Sequence, residues 1–365
     1  MAFTLVHCAD VHLETTFPDT RGGAARRTAL ADAFVRIVDE ALARQADVLT
    51  IGGDLYEAER AGPATVRFLF EQFVRFGKPV FLAPGNHDPH APGSLLARPD
   101  LPENVLVFNE AAWRAIPLAD GITLYGFGHT PAEPGRPFAS ARFERGGVQI
   151  ALVHGSDEAR CPPNKRATAP FTQREVSASG ASILLTGHYH GGYLASEHGR
   201  TAIAYPGSPE PIKFGEGLAH GIVALRIEGN HIDATLVPIA RTRLFELDCD
   251  LSGVGHEHAA AARIEKVLSP LGRRDYVRLR LTGQTAHGTR LDPGSLRERF
   301  ESALGSLELS DRTSSFDYEL ISREPTVRGH VVRDLLALAR DDGSELAGEA
   351  LRYALAAFDG AEIAP

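Results

Sequence analysis

Lys78-Pro79-Val80-Phe81-Leu82-Ala83-Pro84-Gly85-Asn86-His87-Asp88 is a short apolar run that stops on a turn and then sets an amide, an imidazole and a carboxylate side by side. Bounded by Pro and Gly, the run reads as a buried strand feeding a loop. Open α/β sheets place their ligands at the carboxyl ends of strands, so the Asn-His-Asp triplet is a candidate wall of a binding site.

The same grammar recurs upstream. Residues 3–6 read as a first strand that runs into His7-Cys8-Ala9-Asp10-Val11-His12, where the D-x-H pair puts a carboxylate and an imidazole on one face of an extended segment. Residues 24–45 carry Leu30, Phe34, Ile37, Val38, Ala41 and Leu42 at three-to-four spacing, which predicts an amphipathic helix. Residues 47–51 form the next strand, and Gly52-Gly53 permits a tight turn that leaves Asp54 at its end. A second helix over 63–76 returns the chain to the run before Asn86; its Val66, Phe68, Leu69, Phe70, Phe73 and Val74 exceed what one face requires and predict a homodimer contact. Repetition of β-α-β units implies parallel or mixed sheets, with the polar clusters gathered along one edge.

Downstream, residues 104–130 predict short strands, and 148–153 a buried strand ending in His154-Gly155. The polar loop that follows carries Arg160, Lys165, Arg166 and Arg174, read either as phosphate contacts or as a solvated face. Residues 182–186 end in Gly187-His188-Tyr189-His190, and 220–227 with 231–237 predict a hairpin around Glu228-Gly229-Asn230. A boundary near 240 separates a first domain, 1–240, from an α+β unit at 241–325, with strands at 242–250, 276–281 and 316–322 and helices at 256–268 and 293–304. Two amphipathic helices close the chain within 326–365. Their rows Val331, Leu335, Leu338 and Leu351, Leu355, Phe358 suit a partner's groove or packing within their own domain.

Composition sets the bounds. The chain has 365 residues, 43% hydrophobic and 23% charged, an ordinary globular balance. Net charge is -9, and both parts of the chain are acidic, so polyanion binding has to come from bound metal and local basic loops. Cys8, Cys161 and Cys249 are far apart with no C-x-x-C pair, which excludes a disulfide framework and a zinc knuckle. The N-terminus lacks the basic flank of a signal peptide and no apolar run reaches membrane-spanning length, so no membrane association and a cytoplasmic location are expected.

Five motifs thus occur in order after strand-like runs: D-x-H, G-G-D, G-N-H-D, V-H-G and G-H-x-H. Their carboxylate, imidazole and amide donors suit a borderline divalent ion such as Mn²⁺, with Fe, Zn or Mg as alternatives. Two such ions about 3.5–4 Å apart acidify a water and clamp a phosphate during in-line displacement, so hydroxide serves as nucleophile in place of a Ser or Cys side chain.

This ordered set resembles the calcineurin-like metallophosphoesterase superfamily over roughly residues 3–240. The resemblance implies a four-layer α/β/β/α sandwich with a small C-terminal α+β capping domain. It also implies two divalent ions, one held by Asp10, His12, Asp54 and His190, the other by Asp54, Asn86, His154 and His188, with Asp54 bridging. By the same resemblance His87 protonates the leaving oxygen or stabilises transition-state charge. Asp88 either orients His87 or serves as a turn residue before Pro89. His7 is either a support of the metal ligands or a satisfied strand-end histidine, and Tyr189 either packs or contacts substrate.

Tyr205-Pro206-Gly207-Ser208 with Glu216 downstream is similar to the Y-x-G-S segment of SbcD-like nucleases, and more closely to the YhaO-type DNA repair exonucleases. That likeness implies exonuclease action on single- or double-stranded DNA ends and an SbcC-like or YhaN-like coiled-coil ATPase partner. A small-molecule phosphodiesterase and a regulatory subunit of an ATPase complex are the other readings. The chain departs from the pattern in two places. No basic residue follows the segment at Glu210 or Pro211, Lys213 being the nearest, and Glu57 stands where that branch often carries His or Asp.

Overall fold

The computed structural model describes residues 2–17, 23–132, 134–144, 146–162, 167–197, 200–217, 219–342 and 345–358. Two compact units divide the chain, residues 1–243 and 244–365. In chain order, the strands of the first are β1 (Phe3–Cys8), β2 (Val48–Ile51), β3 (Val80–Leu82), β4 (Val105–Val107), β5 (Arg114–Ala119), β6 (Ile122–Phe127), β7 (Val148–His154), β8 (Ile183–Gly187), β9 (Tyr193–Glu197), β10 (Arg200–Tyr205), β11 (Gly221–Glu228) and β12 (His231–Pro238). Its helices are α1 (Gly23–Ala43), α2 (Pro63–Phe76) and α3 (Gln173–Ser179).

Two six-stranded mixed sheets result, ordered β12-β11-β1-β2-β3-β4 and β5-β6-β7-β8-β10-β9. Strands β1 to β4 run parallel, as do β6, β7, β8 and β10, while the hairpin β11–β12 closes the first sheet antiparallel to β1. Alternation along each strand assigns the layers. Leu5 of β1 faces the space between the sheets with Val48, Phe81, Ile122, Ile150 and Leu185. Val6, one residue on, faces Leu30, Phe34 and Ile37 of α1 and Leu69 and Phe73 of α2. On the far side of the second sheet, Val153 and Ile203 are covered by Phe138, Phe171 and Val176 of α3. Each of these fully buried side chains contributes about 1.5–3 kcal/mol. This is the four-layer α/β/β/α sandwich.

Helix α2 begins on Pro63, whose missing N–H costs nothing there, and ends at Gly77 in the left-handed region at φ 67°. Its excess of apolar residues leaves Val74 64% exposed.

The second unit contains β13 (Arg243–Asp250), β14 (Asp275–Thr282) and β15 (Ser306–Asp311) in one sheet, with helices α4 (Glu257–Leu268), α5 (Pro293–Glu301), α6 (Tyr318–Ser322), α7 (Val327–Asp342) and α8 (Glu345–Phe358). The strand expected at 316–322 is a correction. The third strand is Ser306–Asp311, parallel to β14 from Tyr276↔Ser306 to Leu281↔Asp311, and 318–322 is helical. Leu307 and Leu309 alternate with polar neighbours, the period of a half-buried strand. Asp317 caps the helix by accepting the Leu320 N–H at 2.9 Å. Helices α7 and α8 share a small core of Ile321, Val332, Leu351 and Leu355, while Leu338 and Phe358 stay exposed.

Candidate metal centre

Strands β1, β2, β3, β7 and β8 all deliver a polar residue within a few positions of their carboxyl ends, and backbone bonds stitch those loops together. Asp10 N–H donates to Gly53 O (3.0 Å), His12 N–H to Asp54 O (2.9 Å), and Gly155 N–H to Gly187 O (3.3 Å). The loops are strained where they carry function. Asp10, His12, Asp54 and His188 hold φ values of 54°, 50°, 52° and 105°, in or beyond the left-handed region that non-glycine residues avoid. Gly85 is demanded by crowding, because a Cβ there would lie 2.2 Å from Asp54 Oδ1.

Two triads of donor atoms converge: Asp10, His12 and His190, and Asp54, His154 and His188, each with atoms within 4.8 Å of one another. Asp54 stands between them, its Oδ2 3.6 Å from His12 Nε2 and 3.3 Å from His154 Nε2. Asn86 Oδ1 joins the second triad at 3.1 Å from His154 Nε2. All seven residues expected as metal ligands are therefore gathered in one place.

The imidazoles fit bound cations. His12 Nδ1 donates to Glu57 Oε1 (2.8 Å), His154 Nδ1 to Gly52 O (2.8 Å) and His190 Nδ1 to Glu216 Oε1 (2.6 Å). Each acceptor can only accept, so each Nδ1 carries a proton and Nε2 is the nitrogen left to face an ion, the arrangement that outer partners impose on metal-binding histidines. His12 Nε2 is buried without a hydrogen-bond partner among the described residues. An orphaned buried lone pair costs about 1–3 kcal/mol unless something binds it, and a divalent ion would.

In the absence of cations, burial would raise the Asp54 pKa, but the imidazoles of His154, His12 and His87 outweigh it and hold the carboxyl well below the usual range. Burial likewise works against Glu57, yet hydrogen bonds from His12 and His87 bring it to about 2. The bond to Glu57 in turn raises the His87 pKa.

Glu57 was not expected at the site. It takes His12 Nδ1 on one oxygen and His87 Nδ1 on the other, at 2.8 and 2.9 Å. His12, Glu57 and His87 thus form a third cluster of donor type, one already satisfied by its own hydrogen bonds. The signal for it lay in the sequence, three residues past Asp54, as a departure from pattern. His87 itself is 44% exposed in its side chain and lies edge-on to His12, ring centroids 4.7 Å apart.

Asp88 is a correction. It does not orient His87: its oxygens accept the N–H groups of Gly85 (2.7 Å), Asp54 (3.0 Å) and Leu55 (2.7 Å), so it fixes the two loops to each other from a fully buried position. His7 takes the strand-end reading, spanning the sheets from Thr50 Oγ1 (3.0 Å) to Thr186 O (3.2 Å). Tyr189 packs beside His188 and donates to Asp157 O (2.9 Å). Lys165 and Arg166 lie outside the described residues, and Arg174 is exposed. His129, which no motif announced, is buried and bonds His154 O through Nε2 at 2.9 Å.

The Tyr205–Glu216 segment supports the centre from behind. Tyr205 Oη donates to Gly155 O (2.6 Å) and accepts from Asp157 N (3.0 Å), bracing the loop after His154. Ser208 N–H donates to His190 O (2.9 Å), and Glu216 holds the His190 ring. Glu210, at a position where a basic residue was looked for, is buried and pairs with Arg36 and with Arg241 N and Thr242 N, anchoring the end of the unit. Lys213 is exposed.

A four-layer sandwich whose strand-end loops gather two carboxylates, four imidazoles and an amide is a metallophosphoesterase framework with donor groups for divalent ions. Residues 3–192 match the calcineurin-like phosphoesterase family, and the chain belongs to it, a family that binds two divalent metals. Its relatives include the uncharacterized metallophosphoesterase YhaO of Bacillus subtilis, 27% identical over 231 residues, covering 57% of this chain and 53% of that protein. The DNA double-strand break repair protein Mre11 of Methanopyrus kandleri is also 27% identical over 231 residues, with 58% and 49% covered. The chain therefore spans about half the length of these relatives. Among solved structures, a dimetal phosphatase from Danio rerio aligns over 65% of this chain and 99% of its own, at 11% identity and a TM-score of 0.40. Among the described residues no helix is long and apolar enough to cross a membrane.

Proposed function

We propose that this protein is a two-metal phosphodiesterase that trims DNA ends in repair, with Mn²⁺ as its working metal. The observation that carries the reading is the set of Nε2 atoms of His12, His154 and His190, each ring fixed by an outer acceptor on Nδ1, around the two carboxylates. Asp10, His12, Asp54 and His190 would hold one ion; Asp54, Asn86, His154 and His188 the other. When bound, the ions supply Lewis acidity toward the phosphoryl oxygens and acidify the attacking water.

The chain's own groups do the rest. Glu57 and Glu216 keep His12 and His190 in the ligating tautomer, and Asp88 holds the Asp54 and Gly85 loops in register. His87, exposed at the edge of the centre with its pKa raised by the bond to Glu57, gives a proton to the leaving oxygen. DNA as substrate is supported by the likeness to Mre11, whose name is that of a break-repair protein. With a net charge of -9, recruitment of phosphates falls to the ions and to local basic loops.

The test is purified protein, Mn²⁺ and end-labelled single- and double-stranded DNA, with progressive shortening expected. Hydrolysis of bis-p-nitrophenyl phosphate without shortening of DNA would leave a small-molecule phosphodiesterase. No hydrolysis of either would remove the enzymatic reading. The exposed apolar side chains Leu338, Leu346 and Phe358 on α7 and α8 are the proposed contact for a coiled-coil ATPase. Deleting residues 325–365 is expected to abolish pull-down of that ATPase and to spare model-substrate hydrolysis.

A further inference from the structure

Beside the centre, a cleft of ≈ 400 Å³ opens directly on Asn86, within the size range of small-ligand sites. Three loops build its walls. Pro89 comes from the loop after β3, Pro131 and Ala132 from the loop after β6, and Ala167 and Pro170 from the segment before α3. Proline rings have fixed φ and no N–H, so these positions present apolar rings with no backbone donor.

The third wall is also held in place. Thr168 N–H donates to Ser156 Oγ (3.0 Å), Ser156 N–H donates to Thr168 O (2.8 Å), and Ala169 keeps a left-handed φ of 40°. A non-glycine residue in that region costs about 1–3 kcal/mol, and such strain clusters at ligand sites. The floor includes His129, 2% exposed. Because its Nε2 must donate to the His154 carbonyl, its Nδ1 is left as an acceptor.

The rim decides what class of group enters. Arg136, the one arginine among the described residues that line the cleft, is forked onto Glu158 (2.7 and 3.0 Å) and Glu175 (3.1 and 2.8 Å). Among the described residues at that edge, one cation therefore faces two carboxylates and is already engaged. A neutral, flat, partly polar group next to the scissile phosphate suits such a lining, because apolar side chains with a few hydrogen-bonding groups are how proteins hold a nucleobase taken out of its stack.

We infer that this cleft is the subsite for the nucleoside attached to the scissile phosphate. The inference rests on the phosphodiesterase reading and names the part of the substrate that the cleft takes. It distinguishes nucleoside diesters from simple alkyl diesters that carry the same leaving group.

Two p-nitrophenyl diesters with Mn²⁺ test it: thymidine 5′-(p-nitrophenyl phosphate) and methyl p-nitrophenyl phosphate. The wild type is expected to show a KM at least tenfold lower for the thymidine ester. Ala132→Trp and Ala167→Phe, which fill the cleft from two different loops, are expected to raise that KM about tenfold and to leave kcat/KM for the methyl ester unchanged. Equal KM values in the wild type, or variants that alter both esters alike, overturn the subsite. If neither ester is hydrolysed, the phosphodiesterase reading fails, and calorimetry with thymidine 5′-(methyl phosphorothioate) decides the cleft separately. Binding lost in both variants supports it; binding absent from the wild type or unchanged in the variants overturns it.

Discussion

Replacing Glu57 by glutamine keeps the shape of the side chain and removes one of its two acceptors. The carboxylate accepts from His12 Nδ1 at 2.8 Å and from His87 Nδ1 at 2.9 Å, and with side chains 4% and 14% exposed the His12–Glu57 bond is little screened by solvent. An amide has one oxygen. Its NH₂ would face the N–H of whichever imidazole lost its partner, and that ring has to turn or change tautomer. A hydrogen bond to a charged group contributes about 1.5–3 kcal/mol. Losing one on the His12 side therefore weakens the ion held by Asp10, His12 and His190 by about 10- to 100-fold, the range found when outer partners of metal ligands are removed. The second set is insulated, because His154 is anchored by the Gly52 carbonyl and not by Glu57. Calorimetric titration of the metal-free variant with Mn²⁺ is thus expected to show one weakened and one preserved step if the remaining oxygen stays on His87, or two preserved steps with a lowered kcat if it stays on His12. Two steps within twofold of wild type, together with an unchanged kcat, would refute the reasoning.

Asp54→Asn removes the oxygen that stands 3.6 Å from one triad's imidazole and 3.3 Å from the other's, so metal analysis is expected to find both ions depleted. Unchanged manganese content would mean that Asp54 does not bridge. His87→Ala is expected to retain both ions and lose about 10²–10⁴-fold in kcat, the usual worth of a positioned acid; loss of metal instead would make His87 a ligand. Asp88→Ala strips three backbone N–H groups of their buried acceptor. At about 1–3 kcal/mol for each unsatisfied group, urea unfolding of the metal-free protein is expected to show a loss on the order of 3 kcal/mol or more. A loss below 1 kcal/mol would return Asp88 to a minor turn role.

The strands and helices of the first unit were legible because their periods are local. Leu5 and Val6 face opposite sides of β1, and Leu30, Phe34 and Ile37 face one side of α1, by geometry that any short window carries. The third strand of the second unit was misplaced because Phe316–Ser322 is rich in residues that also favour strands, while the capping role of Asp317 depends on the turn it starts.

The seven candidate donor residues, and their placement after strands, are properties of the sequence alone: a D-x-H or G-N-H-D motif states which donors exist and that a turn follows. What closes each donor's second bond is not. Glu57 reaches His12 and His87 across 45 and 30 residues, and Gly52 reaches His154 across 102. Asp88, adjacent to His87 in the chain, turns away from it to bind the loop of Asp54. Sequence neighbours share a backbone, but a buried polar atom takes whichever partner the packed loops bring within 3 Å. Ring tautomers, the role of Glu57 and the cleft beside Asn86 were therefore decided only when the two sheets came together.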